Sequence, residues 1–159
     1  MSISVLSKEF EKLKSDLIVA YDAKGMRASG KFADSLEVMI FNDESSYKAQ
    51  LWGEDYAQQL ETGRQGGTYP PIEMIKKWIT DKGVFTQALQ NIKLSSLAFL
   101  IARKIYRNGW KRQVHGGVDL ISQVITPERL QNIIDEVGAV EAMRISSEIE
   151  FLINDLMIV

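Results

Sequence analysis

YAQQLETGRQGGTYPPIEMIKKWITDKG, residues 56–83, gathers turn residues, charge and an abrupt change of hydrophobic period into one stretch of the chain. Gly63, Gly66 and Gly67 fall within five positions, so the backbone there can take positive φ values that other residues resist. Tyr69-Pro70-Pro71 follows as a stiff strut, because proline fixes its own φ and pushes the residue before it toward extended geometry. Pro71 suits the first position of a helix, where no amide partner is needed. Ile72, Ile75 and Ile79 then recur at helical spacing, Met74 and Trp78 widen the stripe, and Gly83 is placed to end the helix in a left-handed cap. The reading is a glycine-rich loop feeding an amphipathic helix over residues 72–82. The loop is expected to reach outward with Arg64 and Tyr69 as contact side chains of the kind that anchor interfaces.

Upstream, Leu36-Glu37-Val38-Met39-Ile40-Phe41 and Tyr47-Lys48-Ala49-Gln50-Leu51-Trp52 both alternate with period two and are rich in branched and aromatic residues. Asn42-Asp43-Glu44-Ser45-Ser46 between them reads as a polar turn, giving an antiparallel hairpin. Leu36, Val38 and Ile40 share a face, as do Tyr47, Ala49 and Leu51, while Met39, Phe41 and Trp52 lie on the other. Apolar groups on both faces mean either a core on both sides within one subunit, or helices on one side and a neighbouring subunit on the other. Gly53-Glu54-Asp55 turns the chain, and residues 56–60 read as either an edge strand or a helical turn.

Ile3, Leu6, Phe10, Leu13, Leu17 and Tyr21 form one helical stripe, predicting a helix from Ser4 to Lys24 that stops at Gly25. Its length, under three heptads, favours packing on the protein's own elements over a coiled-coil seam. Residues 26–34, MRASGKFAD, read as a polar joint. Beyond Gly83, a helix capped by Thr86 or Asn91 runs to about Arg107 on Leu94, Ala98, Ile101 and Ile105. Arg103, Lys104, Arg107, Lys111 and Arg112 then crowd together with Tyr106 and Trp110. Val118–Thr126 is either helix or strand. Thr126-Pro127-Glu128 is a helix start, followed by Leu130, Ile133, Ile134 and Val137, with Gly138 as a point of bending or division and a second stripe on Ile145, Ile149, Leu152 and Leu156. The apolar end, Leu156-Met157-Ile158-Val159, is expected to dock on the body or a partner.

The fold class that follows is α+β: a small antiparallel sheet, the central hairpin plus any edge strand, packed with N-terminal, central and C-terminal helices. All 159 residues are read as one domain, with an N-terminal helix to residue 25, the hairpin, glycine loop and Pro-Pro helix over 29–83, and a helical part over 84–159. The net charge of -2 gives no global pull toward phosphate or anionic membranes. The chain has no cysteine, which removes disulfides, thiolate zinc sites and cysteine nucleophiles, and no apolar run of membrane-spanning length. His115, the single histidine, has no acid or hydroxyl pattern to make a triad. Glu54 with Asp55 and Asp135 with Glu136 are adjacent in sequence and do not share a helix face. Gly63-Arg64-Gln65-Gly66-Gly67 lacks the lysine and hydroxyl of a nucleotide loop. No catalytic, metal, cofactor or small-molecule site is expected, and the protein is not expected to be an enzyme.

The pattern Tyr-x4-Glu-x-Gly-Arg-x-Gly-Gly-x-x-Pro-Pro-x-x-x-Ile-x-x-Trp-Ile-x-x-Lys-Gly, from Tyr56 through Gly83, resembles the middle of the tail-completion, or head–tail joining, proteins of the tailed-bacteriophage neck. The resemblance covers Ser29 to Gly83, about a third of the chain. It implies a non-enzymatic virion protein made in the bacterial host cytoplasm and placed at the head–tail junction. Copies would form a ring between the portal and adaptor side of the neck and the tail tube proteins, meeting through loops and a sheet, with DNA passing through. On that reading Arg64, Gln65, Tyr69, Pro70, Pro71, Trp78, Arg107 and Trp110 are the expected interface residues. Arg103, Lys104, Arg107, Lys111 and Arg112 would face an acidic partner or nucleic acid, and a nucleic-acid-binding accessory protein built on that basic segment is the competing expectation.

Overall fold

The computed structural model describes residues 2–43, 46–84, 91–111 and 119–156. Among them the chain is α+β, with seven helices and one two-stranded antiparallel sheet. The order is α1 (Ser2–Ala23), α2 (Lys31–Ser35), β1 (Glu37–Asp43), β2 (Ser46–Trp52), α3 (Ala57–Thr62), α4 (Ile72–Lys82), α5 (Leu94–Asn108), α6 (Leu120–Val124) and α7 (Pro127–Leu156). No helix of the described residues is long and apolar enough to cross a membrane. Contacts divide the chain into two compact units, one of residues 1–16, 37–52 and 124–159, the other of 17–36 and 53–123.

The first unit gathers the start of α1, the hairpin and α7. Glu37 pairs with Trp52, Val38 with Leu51 and Ile40 with Ala49, so the two faces are those the alternation predicts. Ile40 and Ala49 pack against Leu6, Leu13 and Ile133, with Phe10, Ile125 and Val137 completing the cluster. On the opposite face Phe41 is 48% exposed and Trp52 54%, so apolar surface there is left open. The start of α7 follows its sequence signal: the Thr126 hydroxyl accepts the Arg129 N–H at 3.2 Å, and Pro127 opens the helix. Arg129 also pairs with Asp16 of α1. Gly138 neither bends nor divides α7, which runs through it unbroken to Leu156.

The second unit contains the end of α1 and α2 to α6. Gly25 stops α1 in a left-handed turn, donating to the Asp22 carbonyl while Met26 donates to Tyr21, which satisfies two carbonyls the helix leaves over. Gly83 ends α4 in the same way, with bonds from Gly83 to Thr80 and from Val84 to Ile79. Lys82 reaches the Gly25 and Arg27 carbonyls, a cation at the carbonyl end of α1. Pro71 precedes α4 as its cap residue rather than opening it. Ile79 of α4 and Ala98 and Ala102 of α5 are fully buried; the two small alanine side chains allow close packing.

The structure corrects some sequence expectations here and settles two that the sequence leaves open. Residues 26–34 are not a polar joint: Met26, Phe32 and Ala33 are buried, and Phe32 lies 4.7 Å from the Tyr21 ring and 6.4 Å from Tyr56. The apolar side chains come too far apart in this segment to show a period, yet two aromatic neighbours enclose Phe32. Residues 57–62 form helix α3 rather than an edge strand, and α6 settles the 118–126 segment as helix over Leu120–Val124. α5 begins at Leu94 behind an extended Lys93, so Asn91 does not cap it; Thr86 lies outside the described residues.

Burial pushes the Tyr56 phenol up to about 12, with Tyr21 and Glu54 adding to the effect, and burial raises Tyr21 as well. Both rings stay neutral in the fold beyond the ordinary value of 10.0. A raised folded value means that this stabilisation is complete below pH about 10 and is lost as pH rises toward about 12. Spectrophotometric alkaline titration should show two of the five tyrosines ionising late, coincident with loss of helical signal, and Tyr56→Phe should flatten that loss.

Candidate functional site

The glycine-rich stretch between α3 and α4 is laid against the carboxyl end of α5. α3 closes on Gly63, whose N–H bonds the Gln59 carbonyl at 2.8 Å and whose φ is 78°. Arg64 then forms a one-residue antiparallel bridge with Trp110, with Arg64 N–H to Trp110 carbonyl at 2.9 Å and Trp110 N–H to Arg64 carbonyl at 2.7 Å. Three residues on, the Gly67 N–H meets the Tyr106 carbonyl at 2.7 Å and so satisfies one of the acceptors at the end of α5. The Arg64 guanidinium turns back to the Thr68 carbonyl at 3.4 Å, and the Tyr69 and Tyr106 rings stack at 4.3 Å between centroids, 13° from parallel.

This docking explains the glycines. A Cβ on Gly63 would stand 2.4 Å from the Trp110 carbonyl oxygen, one on Gly66 2.7 Å from that of Tyr106, and one on Gly109 2.3 Å from that of Arg64. The loop is therefore not thrown outward as the glycine content suggests; its glycines let two backbones touch. Glycine signals both freedom and close approach, and only the presence of a facing segment distinguishes them.

Glu61 fixes the other side of the loop. Its carbonyl accepts the Asp119 N–H at 3.0 Å, and its carboxylate accepts the Ile121 N–H at 2.6 Å and the Ser122 N–H at 3.2 Å, capping α6 from about sixty residues away. Sequence reading missed this role, because a cap supplied from outside the helix leaves no local pattern. Glu61→Ala should cost about 1–2 kcal/mol in chemical denaturation, with Glu61→Gln intermediate, since the amide oxygen can accept but carries no charge.

The expected interface residues divide by placement. Gln65, Tyr69, Pro71, Trp78 and Arg107 are exposed, Arg64 and Trp110 are half-buried, and Pro70 is buried. Arg64, Tyr69 and Trp110, with Tyr106, belong to one docked constellation; Trp78 stands apart from it on α4. Arg103, Lys104, Arg107 and Lys111 are exposed, and none is in an ion pair among the described residues. Arg112 and His115 lie outside the described residues, as do Met157 to Val159. Among the described residues no group of three or more histidine, aspartate or glutamate side chains is placed to hold a metal ion. What the arrangement offers is a braced loop beside an exposed positive surface. Compared with protein-family models, curated proteins and solved structures, the chain matches none.

Proposed function

We propose that the chain is a structural subunit of the tailed-bacteriophage neck, of the tail-completion or head–tail joining kind, and that it acts by assembly rather than catalysis. The observation that carries the reading is the Tyr56–Gly83 motif, whose Glu61, Gly63, Gly66 and Gly83 all have identifiable structural work. A loop clamped at both sides presents Tyr69 and the start of α4 with little ordering cost on binding, which favours use as a contact surface. The open hairpin face with Phe41 and Trp52 exposed fits a subunit that meets neighbours. Copies would sit in a ring at the head–tail junction, between portal-side neck proteins and the tail tube, with DNA passing through.

Fractionation of purified virions with the protein labelled and counted tests the reading. A ring-sized copy number at the junction is expected. Arg64→Ala removes the guanidinium but keeps the backbone bridge to Trp110, so it should leave a folded protein and give unjoined heads and tails. Absence from virions would overturn the proposal. The second reading, an accessory nucleic-acid binder, draws on the exposed Arg103, Lys104, Arg107 and Lys111 beside the stacked Tyr69 and Tyr106. Salt-sensitive DNA binding by a protein absent from virions would favour it.

A further inference from the structure

We draw no further inference here: the strongest candidate, the surface patch on α5 where Phe99 and Leu100 stand exposed beside Arg103, Lys104 and Arg107, is an open helix face, and nothing in the structure shows what covers it.

Discussion

Gly109→Ala will destabilise the protein by about 3 kcal/mol or more, because two separate costs fall on one position. Gly109 has φ 69°, a conformation that costs an L-residue roughly 1–2 kcal/mol. Its new Cβ would also stand 2.3 Å from the Arg64 carbonyl oxygen, a backbone atom held by the bridge to Trp110 and unable to swing aside. The neighbouring glycines separate the two costs. Gly67 has φ 98° with nothing within 4 Å, so Gly67→Ala should show conformational strain alone. At Gly66 the φ is outside the left-handed range, but a Cβ would meet the Tyr106 carbonyl at 2.7 Å, so Gly66→Ala should show the clash alone. Gly138, inside α7 with open space around it, serves as the opposite control: Gly138→Ala should stabilise by about 0.5–1 kcal/mol through helix propensity. Urea denaturation of the four variants would give the series. A Gly109→Ala protein as stable as the original would mean that the loop does not rest on α5 as described.

Phe32→Ala should cost about 3–5 kcal/mol, the range for removing a wholly buried aromatic side chain. Phe32 has no solvent exposure, and its ring touches Tyr21 at the end of α1 and faces Tyr56 at the start of α3. Loss of the ring would leave a cavity between the end of α1 and the start of α3, which the two tyrosine rings line. Phe32→Leu should recover about half the loss, since most of the buried area returns while the aromatic contacts do not. The comparison can be read by thermal unfolding, and the Tyr56 titration should fall toward the ordinary tyrosine value in Phe32→Ala as water reaches the phenol.

Where sequence and structure agree, the signal is local. The stripe of α1, the two faces of the hairpin, the amphipathic α4 with its glycine stop, and the Thr126-Pro127 start of α7 depend on residues within a few positions of one another, and period and capping chemistry reveal them. The turn is shorter than the polar run suggests, because Asn42, Asp43 and Ser46 pair within the strands. The parts that sequence reading misses depend on distant partners. Phe32 stands alone in a polar segment, and only Tyr21 and Tyr56 make it core. Glu61 looks like one more surface acid until α6 arrives at its carboxylate. The candidate site divides the same way: the basic cluster near the end of α5 is plain in composition, but the pairing of its bridge residue Trp110 with Arg64 spans the whole of α4 and α5.

The hairpin unit is discontinuous in a way that governs when it can form. Its first pieces, residues 1–16 and 37–52, leave the ribosome early, but Ile133 and Val137, which close the core over Ile40 and Ala49, are made only after the other unit's 53–123 segment is complete. Since translation runs at about 5–20 residues per second, the hairpin waits several seconds for its last wall while the second unit already has all its parts. A chain cut short before α7 would carry the braced loop and α5 but no finished hairpin core. Order of synthesis thereby acts as a check on completeness: only a chain translated through α7 can build both units.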